Sequence, residues 1–375
     1  MKIALTGGGT GGHIYPALSV AEAIRDLRPD VELLFVGSQH GPESALAKEH
    51  SIPFIGIPSR PMTARLSPAT VRALGLLGLG VFRAKRVLDR FAPDVVIGTG
   101  GYTSAAVVLA QGLLRRGPVI IQEQNLLPGR TNLLISRFVS RVCAAFDESA
   151  TYFTSRGACV EVTGVPIRKN ILDRPTREEA GRALNLRSDM FTVLVAGGSQ
   201  GAKRINEIVL KAIPLLADAE IQILHLVGIR NYEEMGAIMD DMPDWYKPVA
   251  YIEDMSAPYA AADLVVCRSG ASTLAELTAC GLPGILIPYP FAHANHQKLN
   301  AEAIARHGAA LVVDQKDLSG PVLAGMLIEL KSDKERLSAM SIASAVLGKP
   351  DAARQVARLA LELAESSKSR KHGRN

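Results

Sequence analysis

The sequence predicts an α/β protein of two doubly wound, Rossmann-like domains facing each other across a cleft. Three observations predict it. Strand-like and helix-like segments alternate along the whole chain. Two glycine-rich loops, Gly7-Gly8-Gly9-Thr10-Gly11-Gly12 and Gly197-Gly198-Ser199-Gln200-Gly201-Ala202, each follow an apolar strand and run into a helical pattern. And 375 residues exceed the roughly 250–300 that one hydrophobic core usually organises.

In the first half, short apolar runs at 2–6, 31–36, 54–57, 95–99, 119–122, 141–145 and 160–163 read as strands. Between them lie apolar residues at helical spacing, as in Ala17, Leu18, Val20, Ala21, Ile24 and Leu27. The second half repeats the pattern with strands at 192–196, 221–227, 249–252, 264–267, 284–287 and 310–313. Continuous rather than alternating apolar strands between helices belong to parallel sheets covered on both faces. Ligands of such sheets bind beyond the carboxyl ends of the strands. A boundary falls near 164–187, where Arg174-Pro175 precedes Thr176 and Glu179 at capping-box spacing. The last helical stretch, 351–365, is expected to pack back on the first domain, and the basic tail 366–375 is expected to be disordered.

Composition narrows the function class. Aromatic residues make up only 5% of the chain and no basic array is interleaved with them, which argues against nucleic acid as a partner. No apolar run reaches the roughly 20 residues of a spanning helix, and the first residues already read as strand, leaving no room for a signal peptide. The four cysteines, Cys143, Cys159, Cys267 and Cys280, show no metal-ligand spacing and read as reduced, mostly buried thiols of a cytosolic protein.

The glycine loops carry the first chemical argument. A helix N-terminus presents unpaired N–H groups and partial positive charge, and glycine lets an anion approach the backbone. Gly7, Gly9 and Gly12 satisfy the dinucleotide spacing, but no acidic residue ends the second strand, so the ribose clamp of a nicotinamide site is missing. Neither loop continues into Gly-Lys-Ser/Thr. His13 follows the first loop directly; it is either a helix-capping or core histidine, or a base that takes a proton from an attacking hydroxyl. Gly100-Gly101-Tyr102 and Gln122-Glu123-Gln124-Asn125 end strands on the same rim, where polar side chains meet either sugar hydroxyls or one another.

In the second half, Cys267-Arg268-Ser269-Gly270-Ala271-Ser272-Thr273-Leu274-Ala275-Glu276 leaves a buried strand and enters a helix. Its small residues let a ligand lie on the backbone. Glu276 either accepts from two sugar hydroxyls or favours the helix dipole. His293 and His296 lie three apart, with no carboxylate or third His to complete a metal site. The segment 72–90 is apolar with three glycines and then basic: it is a core helix with a solvated basic face, or a surface for anionic lipid.

Taken together, these motifs make the chain resemble the MurG family over nearly its whole length. These bacterial transferases add N-acetylglucosamine to undecaprenyl-pyrophosphoryl-N-acetylmuramoyl-pentapeptide in peptidoglycan synthesis. The resemblance rests on residues 8–13, 100–102, 122–125, 197–202, 267–271 and 296–300 in order; at Val165 the family usually has Asn. It implies a fold of the glycosyltransferase B type, with residues 1–165 facing the acceptor and the membrane and 166–350 holding UDP-N-acetylglucosamine. It implies donor contacts from Thr10, Gly11, Gly12, Asn125, Arg168, Ser199, Ile252, Ala271, Ser272, Thr273, Leu274, Ala275, Glu276 and Gln297. It implies acceptor contacts from Gly9, Tyr102 and Gln124, with His13 as the base or as a group positioning the acceptor diphosphate. No cofactor is implied, and no Asp-x-Asp pair occurs to hold a metal on the diphosphate. The implied partners are the nucleotide sugar, the lipid acceptor, an anionic membrane surface and cell-wall or division proteins, and the implied place is the cytoplasmic face of the cell membrane. Two rivals stand beside this reading: a sugar-nucleotide 2-epimerase and a non-catalytic nucleotide-sugar-binding module.

Overall fold

The computed structural model describes residues 1–59, 68–115, 117–198, 201–239 and 242–372. It divides into two compact units, one formed by Met1–Arg168 with Pro350–Asn375 and the other by Lys169–Lys349.

The first unit is built on seven parallel strands, β1 (Lys2–Thr6), β2 (Glu32–Ser38), β3 (Phe54–Ile57), β4 (Val95–Gly98), β5 (Val119–Glu123), β6 (Arg141–Ala144) and β7 (Val160–Val162). Their order is β3-β2-β1-β4-β5-β6-β7. Strand side chains alternate between faces, so Ile3 and Leu5 enter one core and Ala4 the other. The first core is closed by Ile14, Leu18 and Ile24 of the Gly11–Leu27 helix, and the second by Ala84, Leu88 and Val107. Both faces are dry, as the unbroken apolar strands require.

The C-terminal Ala352–His372 helix belongs to this unit and packs on the Gly11–Leu27 helix through Val356, Ala357, Ala360 and Ala364, all fully buried. It extends past the expected stop at 365 and the tail expected to be disordered is helical to His372. The reason is local. Residues 352–372 contain neither Gly nor Pro, so nothing in the chain interrupts the helix. The remaining three residues of that tail lie outside the described residues.

The second unit has six parallel strands, β8 (Phe191–Ala196), β9 (Ile221–Leu226), β10 (Tyr246–Val249), β11 (Leu264–Cys267), β12 (Gly284–Leu286) and β13 (Ala310–Val312), in the order β10-β9-β8-β11-β12-β13. The capping box forms as spaced: Glu179 Oε2 accepts from Thr176 N at 2.9 Å and Thr176 Oγ1 accepts from Glu179 N at 3.3 Å, opening the Arg177–Leu184 helix. One strand is displaced. β10 occupies 246–249 instead of 249–252, because Tyr246 is buried and its hydroxyl bonds to His225 of β9 at 2.8 Å. Of the cysteines, Cys143 and Cys267 are buried, Cys280 is half-buried and Cys159 is exposed, which corrects part of the expectation of buried thiols.

In each sheet the strand order reverses once, between β1 and β4 and between β8 and β11. Loops that leave neighbouring strands in opposite directions open a crevice there. The glycine loops leave β1 and β8, so each stands at its sheet's switch point.

Candidate active site

In the first unit, the β1 loop is held by its neighbours before any ligand arrives. Gly8 N donates to Gly100 O at 3.2 Å, and Gly9 N donates to Glu43 Oε1 at 2.9 Å. Two amides of the loop are thereby used internally. The contact is close enough to require glycine. A Cβ on Gly101 would overlap the Gly8 carbonyl, and Gly101 also has φ +87. Glu43 is fully buried, and its Oε2 has no partner among the described residues. Sequence reasoning missed it, since nothing in Gly41-Pro42-Glu43 distinguishes this carboxylate from a first-turn helix residue.

His13 lies in the first turn of the Gly11–Leu27 helix, half-buried. Its Nδ1 is 3.0 Å from the Thr99 carbonyl oxygen at the end of β4. A carbonyl accepts and never donates, so Nδ1 carries the proton. Thr99 holds the helix from the other side, its Oγ1 donating to His13 O at 2.5 Å. The Gln124 amide nitrogen donates to the same Thr99 carbonyl. The helix-cap alternative for His13 does not describe this geometry; the ring is bound across the switch point to β4.

Glu123 is buried at the end of β5 and takes four donors: Asn125 N at 3.0 Å and Asn125 Nδ2 at 3.3 Å on Oε1, Gly129 N at 3.0 Å and Asn132 Nδ2 at 2.9 Å on Oε2. It fixes the loop carrying Asn125. Tyr102 begins the Tyr102–Leu109 helix and is 39% exposed, so its ring is open to a ligand. Arg168 is half-buried, with its guanidinium 4.8 Å from the Tyr15 ring centre.

In the second unit, the β8 loop turns through Gly198 at φ +94 and Gly201 at φ +74, with Gly201 N donating to Gly198 O at 2.8 Å. It leads into the Lys203–Ala212 helix. Ser199 and its neighbour Gln200 lie outside the described residues. Beside this loop, β11 ends at Cys267 and the Ala271–Cys280 helix starts from Gly270. Ala271, Ser272 and Thr273 form its first turn, while Leu274 is buried and Ala275 half-buried. Glu276 lies beyond that turn, which removes the dipole explanation, and its buried carboxylate accepts from Tyr259 Oη at 2.9 Å.

Ser269 ties the 267–276 stretch to the segment carrying Gln297: its Oγ donates to Gln297 O at 2.8 Å, while Gln297 Oε1 accepts from Tyr289 N at 2.9 Å. Arg268 braces the same loop by donating to Ile287 O at 3.1 Å, Pro288 O at 3.2 Å and Gln315 Oε1 at 2.6 Å. Burial holds its guanidinium below the usual arginine pKa. Tyr259 was not singled out in the sequence, where nothing connects it to Glu276, and Arg268 stood inside the 267–276 stretch without a role of its own. Ile252 follows the displaced β10, with β9 and β8 between that strand and β11. His293 and His296 do not converge on an ion: His296 Nδ1 lies 2.8 Å from His293 O. Among the described residues no three His, Cys, Asp or Glu side chains cluster as metal ligands.

Comparison with known proteins fits this geometry. Residues 3–144 match the glycosyltransferase family 28 N-terminal domain, and residues 192–356 match the family 28 C-terminal domain. A Halothermothrix orenii protein described as UDP-N-acetylglucosamine–N-acetylmuramyl-(pentapeptide) pyrophosphoryl-undecaprenol N-acetylglucosamine transferase is 41% identical, covering 98% of this chain and 100% of the relative. A Desulforudis audaxviator protein of the same description is 40% identical over 94% of this chain and 95% of its own. Among solved structures, Acinetobacter baumannii MurG superposes with a TM-score of 0.75 at 28% identity, covering 96% of this chain and 99% of that one. A Neisseria meningitidis UDP-GlcNAc 2-epimerase reaches 0.69 over 96% of this chain and 100% of that one; at 15% identity it shares the fold alone.

Proposed function

The chain belongs to glycosyltransferase family 28, and we propose that it transfers N-acetylglucosamine from UDP-N-acetylglucosamine to the C4 hydroxyl of the muramoyl sugar in undecaprenyl-pyrophosphoryl-N-acetylmuramoyl-pentapeptide, inverting the anomeric carbon. The observation that carries the reading is about 40% identity, over nearly all of the chain, to relatives bearing that activity in their names. It favours transfer over epimerisation, for which only the fold speaks.

His13 is the base. With Nδ1–H committed to the Thr99 carbonyl, Nε2 takes the proton of the acceptor hydroxyl as its oxygen attacks the anomeric carbon and UDP departs. Gly9, Tyr102 and Gln124 contact the acceptor, and the loop from Thr10 faces its diphosphate. Gln124 contributes with its nitrogen already bound to Thr99, so its role is to hold that carbonyl as much as to meet ligand. The donor is held by Thr10, Gly11, Gly12, Asn125, Arg168, Ser199, Ile252, the six residues Ala271 to Glu276, and Gln297. Glu276 accepts from the ribose hydroxyls, and the amides of loop 197–202 meet the charge of the departing diphosphate.

The protein works at the cytoplasmic face of the membrane, on an anionic lipid surface. The Pro68–Phe91 helix supports this reading: Gly80, Ala84 and Leu88 face the core while Leu79, Phe82, Arg83, Arg86 and Arg90 are exposed. Cell-wall or division proteins are further partners.

Incubation with labelled UDP-N-acetylglucosamine, with and without lipid acceptor, tests the function. Label enters the lipid phase only when acceptor is present; epimerised sugar formed without acceptor would refute transfer. Exchanging Leu79 and Phe82 together for serine should weaken binding to anionic vesicles about tenfold or more, read by co-sedimentation.

A further inference from the structure

The first unit contains an apolar cavity of about 160 Å³ that the proposed chemistry leaves unused. Leu77 of the Pro68–Phe91 helix, Ala105 and Leu109 of the Tyr102–Leu109 helix, and Leu134 of the Arg130–Ile135 helix line it. Two of these helices follow β4 and β5, so their first turns stand at the carboxyl edge of the sheet, where the 7–12 loop also lies. Tyr102 is both a wall of the cavity and the residue after Gly101, whose backbone packs on Gly8. Arg130, at the start of its helix, adds a cation to the same lining. Ser59, a polar group of the wall, accepts from Thr103 Oγ1 at 2.7 Å.

We propose that this cavity binds the first isoprene unit of the acceptor's polyprenyl chain, the five carbons attached to the diphosphate. The inference rests on the functional reading above and adds a lipid subsite to it. Size supports this occupant, since an apolar cavity of about 150 Å³ is known to take a six-carbon ring. So does the arrangement of polarity. A prenyl diphosphate carries its charge at one end of a branched hydrocarbon, and here an apolar cavity begins one residue from the glycine contact that shapes a phosphate-type loop. The subsite would let the protein recognise its acceptor by the lipid as well as the sugar, and hold the diphosphate at a set depth.

Calorimetric titration of the full chain with neryl diphosphate, a ten-carbon prenyl chain, and with inorganic diphosphate tests it. The wild-type protein binds neryl diphosphate about tenfold or more tightly than inorganic diphosphate. Ala105→Phe fills the cavity and removes that advantage. Leu134→Gln, at a side chain 60% exposed and therefore safe for folding, reduces it about threefold and leaves inorganic diphosphate binding unchanged. Equal affinity of the wild-type protein for the two diphosphates overturns the proposal. So does an Ala105→Phe protein that melts like wild type and keeps the advantage while losing affinity for vesicles free of prenyl lipid, which assigns the cavity to bilayer acyl chains. Transfer is assayed on the same preparations. Loss of the prenyl advantage's dependence on Ala105 and Leu134 with transfer intact refutes the subsite alone. Absence of transfer with that dependence intact refutes the functional reading and leaves the prenyl subsite standing.

Discussion

Glu123→Gln separates a structural carboxylate from a merely polar one. The native side chain faces only donors, two on each oxygen. A glutamine must turn its NH2 group toward one of these pairs. In one orientation it opposes both Asn125 nitrogens, and in the other it opposes Gly129 N and Asn132 Nδ2. Either way two hydrogen bonds are lost and two donors meet a donor. Each buried donor left unsatisfied costs about 1–3 kcal/mol. Only the Asn132 bond is buried and the other three are part-buried, where water can meet a stranded donor. The expected destabilisation is therefore about 1–3 kcal/mol, against the roughly 5–15 kcal/mol that holds a domain folded. Urea denaturation followed by circular dichroism measures it, and the transition of the first unit should shift while that of the second stays. Because Asn125 hangs on the same carboxylate, the KM for nucleotide sugar should rise about tenfold or more in protein that remains folded. A shift below about 0.5 kcal/mol, within the range of an ordinary surface change, with an unaltered donor KM would refute the argument that Glu123 organises this loop.

Four further outcomes are expected. His13→Ala lowers kcat by about two orders of magnitude or more and leaves UDP affinity near wild type; turnover within a factor of three of wild type would remove His13 as the base. Glu276→Gln raises the donor KM about tenfold with acceptor KM unchanged, and a change confined to the acceptor would take Glu276 out of the ribose site. Gly101→Ala forces φ +87 on a residue with a Cβ that meets the Gly8 carbonyl, so the first unit should lose about 1–3 kcal/mol; an unchanged melting curve would contradict it. His225 is buried between Tyr246 Oη and Asn206 Oδ1, and burial lowers its pKa from 6.5 to about 3. The unfolded chain therefore takes up the proton first, and stability present above pH 6.5 is lost as the pH falls toward 3. The second unit should lose about 2 kcal/mol between pH 7 and pH 5, and His225→Gln should flatten that slope in a series of urea titrations.

Much of this was legible from residue order because parallel α/β units write their period plainly. Strands buried on both faces are unbroken apolar runs, and glycine loops after the first strand of each half mark the phosphate-type positions. β1, β3 and β11 have the ends that the pattern predicts. β10 does not, since its register is set by a tyrosine reaching a histidine on the neighbouring strand, a contact 21 residues apart. The extent of the last helix was misread for a different reason. A run of charged residues looks like tail by composition, yet contains nothing that breaks a helix before Gly373.

The sequence by itself determined the fold class, the family and the loops on which chemistry is sought, because local periodicity and motif order are properties of neighbours along the chain. Tertiary structure decided which groups those loops lean on. Glu43 reaches Gly9 across 34 residues, Thr99 reaches His13 across 86, and Tyr259 reaches Glu276 from a separate helix. That Nδ1 of His13 carries a proton is decided by a carbonyl at the end of another strand, which accepts hydrogen bonds and cannot give them. Such pairings come from how strands are ordered in a sheet, and strand order is a long-range outcome of packing that no local pattern encodes.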